Sequence, residues 1–575
     1  MKRNSRKILL AAILLSCVTG VFADSNERGI DLYRAGLHNA AKIFFVGQTN
    51  QSATEQAENY YYLGQIYYDL QQKDSASYYY DKSVATDPNY PFGYIGQGKI
   101  LLEGGNKKEA ENLFKKANDF AKKIAKKDAS AQTTIAEVYI AARLYPEAEE
   151  ALDKARKINK NYPGIYVAEG DMLAQENKIG EACARYENAT TFDRNYKVAY
   201  LKLARVYKTI NQAQASNYLN QLVEIDPNYI PAYAEIGDLY DLSSVDEMNV
   251  NYTKALNAYE KFISIPGVPQ LYHERHARLL YFTEQYEQSL QEIGLLLKQK
   301  ANPVLYRLQA YNNFKLENYA LSAEQLKNFL QTTPEADHIY LDYLTLARSL
   351  VKEKEYEQAI TCFTKASELK NIKPEVYKQI YKETASAYLA IDNYPEAIKM
   401  YEKFLATEES PSAVDYFALG EYSYTAAVKY VSPEYLNNKQ KTPEEQAMDS
   451  VQLNFYIEKG NYAFTEVIRL RPESFLGYLY RARIHSVLDA VEQARTEKVK
   501  GIALPYYEEA IGIMLTKNED GARNNDLLEA YRYLGSYYYV QKDKAKAGEY
   551  YKKILEIDPA NAGAKAVLDD LKIKY

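Results

Sequence analysis

Apolar and polar residues along this chain follow a helical rhythm rather than a strand one. Between Glu58 and Tyr90 two amphipathic runs meet at Asp74; the first carries Gly64, the second Ala76 and Tyr80, and Pro88 closes the stretch. Apolar positions three and four residues apart put one greasy stripe on each helix. A small residue in each stripe lets the two helices approach, and a large one beside it fills the gap that remains.

The arrangement recurs along the chain. The small residue of the first helix returns at Gly98, Ala136, Gly170, Ala204 and Gly237, then at Ala277, Ala310, Ala347, Ala385, Gly420, Ala482 and Gly535. Second helices answer with Ala110, Ala148, Ala182, Ala215 and their successors, each followed four residues on by a larger residue such as Phe114, Leu152, Tyr186 or Leu219. Small then large at i,i+4 supplies a hole and a knob on one helix face. Pro88, Pro227, Pro334, Pro472 and Pro559 stand where second helices end, because proline cannot continue a helix and fixes the turn that follows.

These residues resemble the tetratricopeptide repeat. The fit is position by position in 57–90, 91–128, 129–162, 163–196 and 528–561, and looser in 270–302 and 303–339, where Ser289 and Ser322 replace alanine. The resemblance implies an all-α fold, an α-solenoid superhelix of about fourteen helix-turn-helix repeats in which each repeat touches only its neighbours. On this reading 1–23 is a signal peptide, 24–412 holds repeats 1 to 11, 413–527 holds repeats 12 and 13 with loop insertions, and 528–575 holds the last repeat and a capping helix. The insertions fall at 426–448 and 488–501 and are expected to project from one edge. Pro433 and Pro443 bracket a polar run that reads as exposed loop. A smaller insertion, 243–251, reads as loop growth, with a docking loop as the alternative.

The N-terminus changes the expected location. Four cations, an apolar run from Ile8 to Leu15 and small residues before Ala23 make a secretory signal peptide, which predicts a periplasmic or secreted protein. Leu14-Leu15-Ser16-Cys17 also resembles a lipobox, so the alternative is an outer-membrane lipoprotein anchored through Cys17. Cleavage after Ala23 removes four cations and no acids, taking the formal charge from −6 to −10. An acidic protein is a poor nonspecific binder of nucleic acid. Cys183 and Cys362 are too many repeats apart to pair and read as packing residues. His273 and His276 share a helix face, but no carboxylate or cysteine cluster in the sequence completes a metal site.

No catalytic constellation emerges. Phosphate loop, HExxH, CxxC and GxSxG are all missing from the sequence, and acid pairs such as Glu149-Glu150 read as solvated surface. The expectation is a non-catalytic scaffold without a cofactor. Tyrosine is the compositional anomaly, at 58 residues with no tryptophan. Most of these rings fall at packing positions, while Tyr61, Tyr68, Tyr281, Tyr311, Tyr424 and Tyr539 fall where the resemblance places the inner face of first helices.

The family resemblance implies binding of protein or peptide partners in a concave groove. One subfamily clamps a C-terminal carboxylate with lysine and asparagine; its asparagine position is nowhere asparagine here, being Gln65, Lys99, Glu137, Asp171 and Arg205 in the early repeats. Projecting the inner positions brings Arg275, Arg278, Arg307, Arg348 and Lys352 together with Tyr281, Tyr311 and Phe314 across repeats 8 to 10, which predicts a positive, aromatic groove for an acidic peptide. The competing expectation is that these arginines pair with acids of adjacent helices. Composition and leader are similar to exported tetratricopeptide proteins of the Bacteroidetes type. An envelope assembly or secretion-machine component, and a glycan or small-ligand binder along the tyrosines, are the alternative functions.

Overall fold

Every regular element among the described residues is helical. The computed structural model describes residues 26–48, 51–241, 248–370, 372–436, 442–496, 499–516 and 521–575. Within them 30 α-helices and two short 3-10 helices succeed one another, and there is no strand. The signal peptide with Cys17, part of the 243–251 insertion and the polar run 437–441 lie outside the described residues. The chain divides into two compact units, Met1–Asn312 and Asn313–Tyr575.

Each unit is a stack of antiparallel helical hairpins, the solenoid architecture that the repeat predicts. Several first helices begin with proline, as at Pro91, Pro163 and Pro374, where the missing N–H leaves no hydrogen bond unmade. They end in a left-handed residue that reverses the chain: Gln71, Arg143, Asn177, Lys354 and Asp392 all have φ near +60°. Two crossed backbone bonds close this turn, as in Gln71 N to Tyr68 O and Gln72 N to Tyr67 O. In the turns at Gly36 and Gly105 that residue is glycine, but in the others named it is not, so the usual sequence marker of the turn is missing from most hairpins.

Packing within the hairpins follows the small and large code. A Cβ on Gly64 or Gly96 would lie within 2.4 or 2.3 Å of the Tyr80 ring, which is wholly buried between the two glycines. Phe114 relates to Gly98 in the same way, and Tyr259 to Gly237. The serines at alanine positions are buried with their hydroxyls satisfied: Ser289 Oγ donates to the Ala277 carbonyl at 2.8 Å and accepts from Asn312 Nδ2 at 3.0 Å.

The first unit departs from nearest-neighbour stacking. Its N-terminal hairpin, helices Glu27–Arg34 and His38–Gly47, packs on the next repeat and also across the superhelical turn onto residues 229–268. Arg205 Nη2 donates to the Arg34 carbonyl at 2.9 Å, and Ile43 Cδ1 would sit 2.7 Å from a Cβ on Gly267. The turn therefore closes on itself as a ring, because the rotation summed over the intervening repeats returns the chain to its start.

The second unit differs from expectation at both insertions. Helix Ala413–Val428 leads through a 3-10 turn to the short helix Pro433–Leu436, and Pro443 opens a 28-residue helix that runs to Leu470. Residues from Pro443 are thus helix rather than loop. Thr442 caps them, accepting from Glu445 N while the Glu445 carboxylate accepts from Thr442 N. The second insertion mainly lengthens a first helix, Phe475–Thr496. Asp489, buried on that extension, accepts from Ile502 N and Ala503 N at 2.8 Å each and from the Tyr533 hydroxyl. At the C-terminus helix Ala562–Asp570 covers the last hairpin with Ala564 and Leu568 buried.

Candidate functional site

The inner face of the first unit is a ladder of polar pairs. In three first helices that carry glycine, the following residue accepts from the tyrosine that packs on that glycine: Tyr80 to Gln65 at 2.7 Å, Tyr186 to Asp171 at 2.8 Å, and Tyr259 to Asp238 at 3.0 Å. A cation from the next repeat completes each rung, with Lys99 on Gln65 at 3.1 Å, Lys202 on Asp171 at 2.8 Å and Arg275 on Asp238 at 2.6 Å. Tyrosine serves here because its ring fills the hole while its hydroxyl reaches the polar face.

Within this ring a cavity of about 570 Å³ is lined by Glu137, Asp171, Tyr186, Lys202 and Arg205 among others. Glu137 is exposed on the wall of that cavity, with protein ringing it on the other sides. Crowding by protein, helped by the charge of Asp171, pushes its carboxyl up to about 7 against the pull of Lys202, Arg34 and Lys99.

The cationic groove residues expected across repeats 8 to 10 fall on both sides of the division between units. In the first unit Arg275 is held by Asp238, and Arg278 Nη2 lies 2.5 and 2.6 Å from the two carboxylate oxygens of Asp241. Tyr281 and Tyr311 pack together with centroids 6.2 Å apart, Tyr311 being buried and Arg307 half-buried on the same helix. In the second unit Arg348 grips Glu383 through Nε at 2.8 Å and Nη2 at 2.7 Å. The expected positive patch is therefore corrected: at Arg275, Arg278 and Arg348 the charge is met by acids of neighbouring helices, Asp238, Asp241 and Glu383. Of the inner tyrosines, Tyr61 is also buried, whereas Tyr539 remains exposed and donates to Asp570 at 2.7 Å.

Three of the expected residues do line one concavity. Phe314, Arg348 and Lys352 surround a cavity of about 450 Å³ in the second unit, together with Val351, Tyr356, Phe363, Lys382, Glu383, Ser386 and Ala387. Its floor is aromatic and aliphatic. Once Arg348 and Glu383 have neutralised each other, Lys352 and Lys382 leave the rim cationic. Lys352 stands over the Tyr319 ring at 5.6 Å, and Lys382 over Phe404 at 5.0 Å with Asp415 4.0 Å away.

Other groups were invisible to spacing because their partners lie on other helices. Glu292 receives Nδ1 of His273 at 2.9 Å and Nδ1 of His276, and the two imidazoles outweigh its burial to hold the carboxyl down at about 2. Among the described residues no group of three or more His, Cys, Asp or Glu is arranged to hold a metal ion. Cys183 and Cys362 are free thiols, one buried and one half-buried.

Hairpin geometry, the glycine and tyrosine packing code and the proline exits agree with sequence matches to the Tetratricopeptide repeat family at 57–90 and 528–561, 343–372, and 198–229. The chain carries tetratricopeptide repeats. Among solved structures it is similar to the C-terminal part of a TPR repeat-containing protein from Cytophaga hutchinsonii, at 22% identity over 51% of this chain and 99% of that one, with a TM-score of 0.34. A tetratricopeptide repeat protein from Parabacteroides merdae matches at 20% identity over 44% of this chain and 98% of that one, TM-score 0.27. The pilF protein of Pseudomonas aeruginosa matches at 16% identity over 39% and 96%, TM-score 0.30. No relative among curated proteins matches the chain.

Proposed function

We propose that this protein is a non-catalytic scaffold that holds a protein or peptide partner, and that the concavity of its second unit is a contact site. The observation that carries this reading is the 450 Å³ cavity between repeats, with an apolar floor of Phe314, Val351, Phe363 and Ala387 and the cations Lys352 and Lys382 on its rim. Such a site suits an apolar side chain flanked by an acidic one, since the ring faces desolvate the first and the ammonium groups attract the second. The tetratricopeptide architecture supports the same class of activity.

The leader-like segment 1–23 supports export to the periplasm or beyond, with lipidation at Cys17 as the alternative route. Mass spectrometry of the mature N-terminus separates the two: a free Asp24 supports a soluble scaffold, and an acylated Cys17 a tethered one. For the contact site, affinity capture with the mature protein should recover a reproducible partner that Val351→Asp loses. Equal recovery by the wild type and Val351→Asp would place the contact elsewhere.

A further inference from the structure

Opposite charges on successive first helices meet in a fixed register. The residue just after the small position of one first helix pairs with the residue two before the small position of the next: Asp171 with Lys202 at 2.8 Å, Arg205 with Glu235 at 2.6 Å, and Asp238 with Arg275 at 2.6 Å. The small positions concerned are Gly170, Ala204, Gly237 and Ala277. Arg348 and Glu383 follow the same rule in the second unit.

Glu137 breaks the register. It follows Ala136 in helix Ser130–Ala141, and the position that would answer it in helix Pro163–Gln175 is Ala168, fully buried and without charge. Among the described residues Glu137 has neither a hydrogen bond nor an ion pair. The cations that act on it from farther away are engaged elsewhere: Lys202 with Asp171, Lys99 with Gln65 and over the Tyr68 ring at 3.6 Å, and Arg34 with Glu27 and Asp31 at 3.6 Å each. Asp171, on the same cavity wall, has both carboxylate oxygens taken, one by the Tyr186 hydroxyl and one by Lys202. Glu137 is thus the carboxylate of this wall whose charge no neighbour meets.

We propose that the 570 Å³ concavity of the first unit binds a basic side chain, a lysine or arginine carried by a partner polypeptide, whose cationic head pairs with Glu137 in place of the cation that Ala168 does not supply. An exposed carboxylate ringed by protein attracts a cation more strongly than one in open water, because the surrounding dielectric is lower. Ile140 and Ala141 lie one helical turn beyond Glu137, and Ala174 and Val206 line the same cavity. They give the aliphatic stem of such a side chain an apolar surface to lie on while its head reaches the acid. The site differs in charge preference from the concavity of the second unit and uses none of its residues. It rests on the scaffold reading only in taking a polypeptide as ligand.

The probe is a library of terminally blocked heptapeptides with one central lysine and random uncharged flanks, selected on the full chain. The best binder should lose affinity about tenfold in Glu137→Gln, and by a similar factor when its lysine is replaced by norleucine, which keeps the stem and removes the charge. Carbodiimide coupling, which joins an amine to a carboxylate it touches, should link that lysine to Glu137 in a peptide map. Glu137→Gln is nearly isosteric at an exposed position, so helical circular dichroism should not change. Val351→Asp should bind the lysine peptide as well as the wild type does. Equal binding by Glu137→Gln, or coupling only to other carboxylates, would overturn the site. Loss of the lysine peptide in Val351→Asp with none in Glu137→Gln would overturn it too, while leaving the scaffold reading in place.

Discussion

A Cβ built on Gly170 would lie 2.4 Å from Cε1 of Tyr186, a ring that is almost wholly buried. No side chain fits that gap, and the ring cannot leave it without opening the hairpin. Gly170→Leu should therefore destabilise the protein by about 1–3 kcal/mol or more, starting locally. Hydrogen exchange should rise first in 163–192 and the hairpins on either side. A uniform rise over all repeats would contradict coupling between neighbours.

The relationship between Gly170 and Tyr186 was legible in the sequence because both partners lie within one period. The same holds for Gly64 with Tyr80 and Gly237 with Tyr259. Ring closure was not legible: Arg205 and Arg34 are 171 residues apart, and their meeting depends on small rotations summed over several repeats. The helix from Pro443 was missed although Thr442, Pro443 and Glu445 form a capping signature; two prolines and the polar run before them looked like loop. At the candidate site, periodicity placed Phe314, Arg348 and Lys352 on one concave face. It could not show that Glu383 neutralises Arg348, since that pairing depends on the stagger of two helices.

Asp489 should be a stability determinant of the second unit. Asp489→Ala would leave the backbone N–H groups of Ile502 and Ala503 and the Tyr533 hydroxyl without their acceptor, at a cost of about 3 kcal/mol. Asp489→Asn keeps one acceptor oxygen and should lose less. Urea denaturation distinguishes them, and equal midpoints for the wild type and Asp489→Ala would refute this role.

The second unit should also weaken in mild acid through His485. Its ring stacks on Tyr506 at 4.2 Å and its Nε2 lies 3.1 Å from Asn461 Oδ1; burial and the charge of Arg481 push it down to about 4 from the ordinary 6.5, with Asp489 acting the other way. The neutral ring is the stable form. Its contribution is full above pH 6.5 and is lost as the pH falls through about 4. Melting temperature should fall over that window, and His485→Phe, which keeps an aromatic stack, should flatten the dependence. An unchanged slope in the variant would assign the effect to another group.

The most direct test of the scaffold reading is a peptide-display selection on the purified protein, followed by titration of the best peptide. The account predicts a shared motif in which an apolar residue stands beside an acidic one. It also predicts binding weakened about tenfold or more by Lys352→Glu and by Val351→Asp, with circular dichroism unchanged in both variants. Peptides without a common motif, or a motif bound equally well by both variants, would contradict the placement of the partner in the concavity of the second unit.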